Sequence, residues 1–308
     1  MRIELGYACI NTQLPSFKRY TLGSLNNLEL DEIQVRIWAN VYRTAKTIEW
    51  NIKHKIKLYR LTSDLIPLAT HPDFLVWSEK VNWHWWKDPY VLYNLNCIRT
   101  MVERYHLHLT THLQPYSVLN SDRSEVVEKT YVELLYHQWL MDNIGGKGII
   151  MHVGSAKSGK DKGIEKWINN YNQLPQKIQN SILLENDDKS YTFDDVMKIA
   201  RETNVLPLFD FHHHRCNSSK NLEDNLREMI NMWDKRGRGV KVHLSTGKNS
   251  PIDVSHADYV EKEDLKNLIE LFKSLKYRKT LWIMLECKKK EKSIEKLREE
   301  WNKSDNKL

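Results

Sequence analysis

Cysteine is scarce in this chain of 308 residues, and its four copies stand far apart, at Cys9, Cys97, Cys216 and Cys287. They form no C-x-x-C pair, so neither a disulfide framework nor a zinc ribbon is indicated, and a reducing environment is expected. Long hydrophobic runs are also absent. No apolar run approaches the roughly 18 residues that a membrane helix needs, and the first ten residues lack the apolar core of a signal peptide. We therefore expect a soluble, intracellular protein without a membrane partner.

The excess of positive charge is small, with 47 Lys and Arg against 40 Asp and Glu, for a net charge of +7. This excess suits a polyanionic partner, but it equally describes a basic protein without one. Hydrophobic residues make up 41% of the chain, enough for a large core, and 28% of the residues are charged. This composition disfavours disorder, and the length is normal for one α/β barrel.

Short apolar runs alternate with longer amphipathic stretches along the chain. The runs predict eight strands, at residues 3–10, 57–61, 107–111, 148–153, 181–184, 205–209, 239–244 and 280–285. The clearest helical stretches are residues 31–53, 89–105, 124–143, 193–203, 222–235 and 262–275. Alternation predicts a parallel sheet with helices outside, and eight units predict closure into a single (β/α)8 TIM barrel over residues 1–308. A doubly wound open sheet is the alternative. From about residue 288 the charged tail is expected to form a surface helix that frays at its end.

Imidazole and carboxylate side chains stand at or just beyond the ends of the third to eighth runs. They are His112, His152, Glu185, Asp210, His212, His213, His214, His243, His256 and Glu286. In a (β/α) barrel these positions converge on the C-terminal rim, where active sites lie. Carboxylates gathered there would repel one another unless divalent cations bound them, and mixed ligands suit zinc, manganese or iron. More than four ligands indicate two or three ions, and such centres typically hydrolyse phosphodiesters.

Lys241 lies two residues before His243, so both side chains face the same side of one predicted strand. If that side is the barrel interior, the lysine needs a carboxylate partner, a modification or a lowered pKa. An ion pair with a rim carboxylate and a functional role are both compatible with the sequence.

The segment 154–160 matches the G-x-x-x-x-G-K pattern of nucleotide-binding loops. Asp161 follows it, however, where such a loop needs Ser or Thr to hold magnesium. We interpret Lys157, Lys160 and Lys162 either as a basic loop that approaches a phosphate backbone or as a solvated loop. Four tryptophans between Trp77 and Trp86 could stack on bases, but packing of a long loop is the preferred interpretation.

The order and spacing of several strings resemble the UV damage endonuclease family, from near the start of the chain to about residue 290. The first strings are Leu5-Gly6-Tyr7 with Asn11, Arg60-Leu61-Thr62-Ser63-Asp64-Leu65 with His71, and His112 with Tyr116-Ser117-Val118-Leu119-Asn120-Ser121. The later strings are His152-Val153-Gly154, Leu184-Glu185-Asn186-Asp187-Asp188, Asp210-Phe211-His212-His213, Lys241-Val242-His243-Leu244-Ser245, His256-Ala257-Asp258-Tyr259 and Met284-Leu285-Glu286-Cys287-Lys288.

The resemblance implies a TIM barrel related to endonuclease IV and the xylose isomerases. It implies up to three ions, commonly manganese, with zinc or magnesium as alternatives. It also implies nicking of damaged double-stranded DNA on the 5′ side of cyclobutane pyrimidine dimers and 6-4 photoproducts. Such a protein would be cytoplasmic or associated with the nucleoid.

The resemblance assigns roles residue by residue. The implied metal ligands are His112, His152, Glu185, Asp210, His213, His243, His256 and Glu286, with His71 nearby. Glu185, Lys241 and His243 are implied to be catalytic, and Lys241 matches a lysine that can be carboxylated. Tyr7 and Asn11 match residues placed near flipped nucleotides.

One string departs from the family pattern. Members usually carry His-Pro-Gly-Gln-Tyr, where the Gln-Tyr pair probes the duplex at the lesion, whereas this chain has His112-Leu113-Gln114-Pro115-Tyr116. Tyr116 keeps its place, but Pro115 replaces the glutamine and cannot donate a side-chain hydrogen bond. An apolar proline could still wedge between bases. Gln114, Pro115 and Tyr116 are therefore the expected lesion contacts.

Three other functions share parts of this pattern. A sugar isomerase of the xylose isomerase type has the same barrel and rim ligands around a small closed pocket. An endonuclease that cuts at abasic sites differs only in substrate. A protein that binds damaged DNA without cutting it would have no use for the full ligand set. A monomer is expected because one barrel buries its own core.

Overall fold

Eight parallel strands close into a barrel in sequence order, with β8 pairing back to β1. The computed structural model describes residues 1–25 and 27–303. The strands are β1 (Arg2–Cys9), β2 (Leu58–Leu61), β3 (His108–His112), β4 (Ile149–His152), β5 (Ile182–Glu185), β6 (Leu206–Asp210), β7 (Lys241–Leu244) and β8 (Thr280–Leu285). All eight lie within two residues of their predicted bounds. The predicted TIM barrel is confirmed, and the open sheet is wrong.

Helices follow the strands and cover the barrel. They are α1 (Leu22–Leu25), α2 (Leu30–Lys53), α3 (Pro72–Lys80), α4 (Pro89–Tyr105), α5 (Ser124–Ile144), α6 (Lys160–Asn172), α7 (Gln176–Ser181), α8 (Phe193–Thr203), α9 (Phe211–Cys216), α10 (Leu222–Lys235), α11 (Lys262–Ser274) and α12 (Glu291–Asn302). A short 3-10 turn, Ser63–Leu65, follows β2. Thr192 and Asp195 form a capping box at the start of α8. None of the helices described is long and apolar enough to cross a membrane.

The sequence patterns did not predict α3 and α6. Helix α6 begins inside the segment that resembled a nucleotide-binding loop, and its apolar side consists of Ile164, Trp167 and Tyr171. Helix α3 carries Trp77 at the start of the tryptophan-rich stretch. Trp85 is buried and packs edge-on against Tyr136, Trp86 and Trp139. The contacts of Trp85 support the packing interpretation of this stretch.

Helix α12 is not a loose tail. Its Ile294 and Leu297 are buried, and the buried carboxylate of Glu291 accepts a hydrogen bond of 3.0 Å from the backbone N–H of Thr12, just after β1. The predicted helix is therefore present and docked on the barrel. The predicted frayed end falls on residues 304–308, which lie outside the described residues.

The register of the strands brings the predicted rim residues level with one another. His152 pairs with Glu185 across β4 and β5, and Asp210 pairs with His243 across β6 and β7. Alternation along β7 places Lys241 and His243 on the same side, and both are buried inside the barrel. The parallel arrangement thus gathers side chains from several strands at one end.

Stability should fall below pH 6.5 because two histidines outside the rim are buried in the neutral form. Burial is the main cause that lowers the pKa of His137 to about 3 and of His108 to about 2. Below pH 6.5 the unfolded chain protonates these residues and the folded chain does not, so protonation favours unfolding. Each should remove up to about 1.4 kcal/mol of unfolding free energy per pH unit.

Urea denaturation at pH 7.5 and pH 5.0, on parent and His137→Leu protein, measures this effect. The variant should lose less stability between the two pH values than the parent does. The comparison with the parent matters because burial raises the pKa of the neighbouring Glu133, which acts in the opposite direction. Equal losses in both proteins would contradict a neutral buried His137.

A candidate metal centre at the rim of the barrel

Glu185, the last residue of β5, is the centre of the rim cluster. Its side chain is 1% exposed. Oε1 lies 2.7 Å from Nδ1 of His243, and Oε2 lies 3.0 Å from Nε2 of His112. Nε2 of His152 is 3.7 Å from Oε2, and Nδ1 of His213 is 3.8 Å from Oε1. One carboxylate thus faces four imidazoles, although burial without such partners would strongly disfavour its charged form.

Three overlapping groups of side chains at this rim could each hold a metal ion. The groups are His112, His152 and Glu185; Glu185, Asp210 and His213; and Glu185, His243 and Glu286. Within each group the ligand atoms lie within 4.8 Å of one another. Glu185 belongs to all three, which is the arrangement of a bridging carboxylate. Seven of the eight ligands that the resemblance implied are therefore brought together.

Two buried atoms in the cluster have no hydrogen-bond partner among the residues described. They are Oδ2 of Asp210 and Nδ1 of His152. Buried polar atoms without partners are costly, and a cation would satisfy a carboxylate oxygen and a neutral imidazole nitrogen at once. Unpartnered atoms of this kind are expected where side chains are positioned to bind a metal ion.

Backbone carbonyls orient two of the imidazoles. Nδ1 of His112 lies 2.6 Å from the carbonyl oxygen of Leu113, and Nδ1 of His213 lies 2.9 Å from that of Asn186. As a neutral metal ligand, each histidine would donate its Nδ1 proton to such a carbonyl, which leaves Nε2 as the free ligand atom. Asn186 also pairs through its side chain with the backbone of Asp210. The backbone therefore fixes which nitrogen each ring presents.

Burial and the charges within the cluster shift the pKa values of its residues in opposite directions. Burial lowers the pKa of His152 to about 4. Burial also disfavours the charged form of His213, but Asp210 and the other carboxylates outweigh it and raise its pKa to about 9. The pKa of Glu185 is held well below its usual range by His243 and His152 in spite of burial. Neutral and charged groups side by side are typical of a site built for cations.

Arg60, in β2, is a functional candidate to which the sequence analysis assigned no role. Its guanidinium makes a close ion pair with Glu286, whose Oε1 is also 3.1 Å from Nδ1 of His243. The arginine side chain is only 12% exposed, and its Nε has no hydrogen-bond partner among the described atoms. Its position next to the end of β2 is the signal that could have identified it, because most of the other rim residues lie at or next to strand ends.

Two implied residues lie outside the three groups. The ring of His256 is 6.4 Å from that of His213 and 5.6 Å from that of His212, so it borders the cluster. His71 caps helix α3, because its Nδ1 accepts from the backbone N–H of Asp73. The metal role of His256 and the supporting role of His71 stay predictions.

Lys241 does not form the ion pair considered from the sequence. It is 3% exposed, and its Nζ has no hydrogen-bond partner in the described chain. Burial lowers its pKa well below the usual value, and the charges of Arg238 and Lys147 lower it further. Its electrostatic neighbours are therefore cations near the start of the strands rather than carboxylates of the rim.

The structure argues against direct DNA contact by Tyr7 and Asn11. Tyr7 is completely buried, and Asn11 is 6% exposed. The Tyr7 hydroxyl donates to Oδ1 of Asn51 at 2.7 Å and accepts from Nδ2 of Asn11 at 3.0 Å. Tyr7 thus packs between the barrel and α2, because odd positions of β1 face the helices. The two residues are not exposed in this structure, and their implied place near flipped nucleotides stays a prediction.

The loop after β3 exposes two of the three expected lesion contacts. Tyr116 is 74% exposed, and Pro115 is also exposed. Gln114 is partly buried, and its Nε2 donates to Oγ of Ser63 at 2.6 Å. In the loop after β4, Lys157 is exposed, whereas Lys160 opens α6 and forms an ion pair of 2.6 Å with Asp195. Tyr116, Pro115 and Lys157 are therefore exposed surface candidates for DNA contact.

The fold and the rim define a class: a (β/α)8 barrel with a candidate polynuclear metal centre at the C-terminal ends of its strands. The family model described as "UV-endonuclease UvdE" matches residues 3–306. The chain belongs to this endonuclease family.

Known relatives agree with this assignment. The chain is 31% identical over 291 residues to the UV DNA damage endonuclease of Bacillus velezensis, a match that covers 92% of this chain and 87% of the relative. The structure entitled "Crystal Structure of SacUVDE" is 28% identical, with a TM-score of 0.83 over 99% of this chain and 100% of that chain. Endonuclease IV from Thermus thermophilus matches over 99% of this chain and 100% of its own, at 12% identity and a TM-score of 0.59. That last likeness concerns the fold alone.

Proposed function

We propose that this protein nicks double-stranded DNA on the 5′ side of UV lesions, cyclobutane pyrimidine dimers and 6-4 photoproducts, by metal-dependent hydrolysis. The observation that carries the proposal is the set of three overlapping ligand groups around Glu185. Their position at the strand ends matches the place where barrel enzymes do chemistry. Membership of an endonuclease family supplies DNA as the substrate class.

The donor set fits two or three divalent ions. Imidazoles with carboxylates suit manganese, with zinc or magnesium as alternatives. The unpartnered atoms of Asp210 and His152 support this fit. When bound, such ions neutralise charge on the phosphate and make water a nucleophile at neutral pH. His112, His152, Glu185, Asp210, His213, His243 and Glu286 would hold them, and His256 would join from its neighbouring position.

The side chains of this protein have further tasks in the proposed reaction. Tyr116 and Pro115 would contact the distorted duplex, since both are exposed beside the rim. Lys157 would contact the phosphate backbone. Dimerised pyrimidines stack and pair poorly, so taking them out of the helix costs less than for intact bases, and this difference would supply selectivity.

Lys241 is proposed to carry a carboxylated Nζ, as the family resemblance implies. Its burial without a hydrogen-bond partner supports this, and the nearby cations Arg238 and Lys147 would stabilise an added negative charge. The mass of the intact protein, measured under native conditions with and without added bicarbonate, should include one carboxyl group that Lys241→Met protein lacks. If both proteins have the mass calculated from their sequences, Lys241 is not carboxylated.

A nicking assay on a labelled duplex with one site-specific pyrimidine dimer tests the proposed function. We expect a nick 5′ to the dimer that needs manganese, is lost with chelator and is absent from an undamaged duplex. An abasic-site duplex runs alongside, and cleavage only there would reassign the enzyme to abasic sites. If no duplex is cut under any condition, the nuclease proposal fails and sugar isomerisation is assayed next. Size-exclusion chromatography checks the predicted monomer.

Arg60→Met should lower nicking by roughly 10- to 100-fold, the range found when a partner of a metal ligand is removed. The arginine orients Glu286 and neutralises part of the charge at the rim. The readouts are nicking rate and manganese affinity by calorimetry. Arg60→Lys, which keeps the charge and loses the planar fork, serves as the matched comparison. Unchanged manganese affinity and rate in Arg60→Met protein would show that Glu286 needs no such support.

A further inference from the structure

A cavity opens at the end of the barrel opposite the candidate metal centre. It measures about 690 Å³ and is lined by residues at or just before the starts of strands. His108 and Thr280 are the first residues of β3 and β8, and Lys147 precedes β4 by two residues. This end of a barrel usually serves stability rather than chemistry, so a cavity of ligand size there is a separate feature.

The lining of the cavity is cationic. Lys147, Arg238 and Lys279 contribute positive charge, and no acidic residue lines the cavity within residues 1–25 and 27–303. Lys147 and Lys279 are exposed at its mouth. Asp234 partly offsets Lys279, at 2.9 Å from its Nζ. Three like charges around one concave surface repel one another, and a bound anion would relieve that repulsion.

One residue that lines the cavity has a buried ring nitrogen without a hydrogen-bond partner. The ring of His108 stacks on that of Trp282, with centroids 3.7 Å apart, and both residues line the cavity. Nδ1 of His108 is buried and has no hydrogen-bond partner in the described chain. With its proton on Nδ1, the ring would donate to a ligand oxygen.

From the cavity, its cations and this donor, we infer that the start of the barrel binds a small phosphorylated molecule of up to nucleotide size. The phosphate group would lie between Lys147, Arg238 and Lys279, since cations of this kind bind phosphate by charge-assisted hydrogen bonds. Burial lowers the pKa of His108, and the positive charges of Lys147 and Arg238 lower it further, so two of the three cations act inside the cavity. The inference is independent of the proposed nuclease function, because the cavity and the rim lie at opposite ends of the strands.

Titration calorimetry with inorganic phosphate and with adenosine monophosphate tests the inference. Chelator is present throughout, so that binding through ions at the rim does not contribute. The double variant Lys147→Gln/Lys279→Gln removes two cations at the mouth. Its matched control, Lys266→Gln/Lys273→Gln, removes two exposed lysines from α11 on the outer surface. Intact mass is recorded for every sample, so that any change in the state of Lys241 on removal of its neighbour Lys147 is detected.

We expect both ligands to bind the parent and the control, and the cavity variant to lose at least about tenfold in affinity through the loss of two charge-assisted contacts. Equal affinity for both ligands would assign the site to the phosphate group alone, and tighter adenosine monophosphate binding would assign it to nucleotides. Absence of binding to the parent, or equal loss in both variants, would overturn the inference.

Discussion

Glu185→Gln protein is expected to lose nicking by on the order of 10³-fold or more, because it loses the charge that all three candidate ion sites share. Glutamine keeps the shape of the side chain and one acceptor oxygen, so contacts with His112 and His243 can persist. Affinity for a duplex with a single dimer should stay within a few-fold of the parent, since Glu185 lies beneath the surface.

The measurements are single-turnover nicking with manganese and duplex binding by fluorescence anisotropy. Glu270→Gln, at an exposed position on α11, is the matched control and should behave as the parent does. Manganese titration and thermal unfolding of the variant separate a lost ion from a lost fold. Nicking by Glu185→Gln protein at the parent rate would refute both the metal centre and the proposed function.

Tyr116→Ala is expected to weaken binding of the damaged duplex by about 5- to 150-fold, the loss that corresponds to one stacked base. The side chain is 74% exposed and lies in the loop that leaves the rim after β3, so its removal should not change the Tm. Tyr116→Phe should keep most of the affinity, because stacking needs the ring rather than the hydroxyl.

Tyr93→Ala is the matched control, since Tyr93 is 66% exposed on the outer helix α4. Binding is compared on duplexes with and without a dimer, at one stated salt concentration. Pro115→Gln, which restores the usual family residue, should tighten binding to the dimer duplex. If Tyr116→Ala and Tyr93→Ala bind damaged DNA equally well, Tyr116 does not contact the lesion.

The two predictions concern different parts of the site, and their results can be combined. Loss of nicking with retained binding places a residue in the chemistry, whereas loss of binding with intact nicking at saturating DNA places it in recognition. Glu185 is expected in the first group and Tyr116 in the second. Arg60 should follow Glu185, because it acts through Glu286 rather than through the DNA.

The sequence alone determined the barrel and most of the rim. Most strands are buried on both sides over most of their length, so they appear as mainly apolar runs, and the polar residue that ends such a run is conspicuous. This is why His112, Glu185, Asp210 and Glu286 could be identified without coordinates. Closure then followed from the count of eight units, since parallel strands with outer helices have few other ways to bury both faces.

Only the tertiary structure decided which residues meet. Tyr7 follows the family string, yet β1 turns it toward α2, where Asn51 binds its hydroxyl. Arg60 lies far from Glu286 in the chain, and only barrel closure forms their ion pair. Strand alternation fixes the side on which a residue lies, but the partners come from strands whose register no local pattern specifies. The cationic cavity at the opposite end could not be predicted from the sequence for the same reason. Its residues come from the starts of five separate strands.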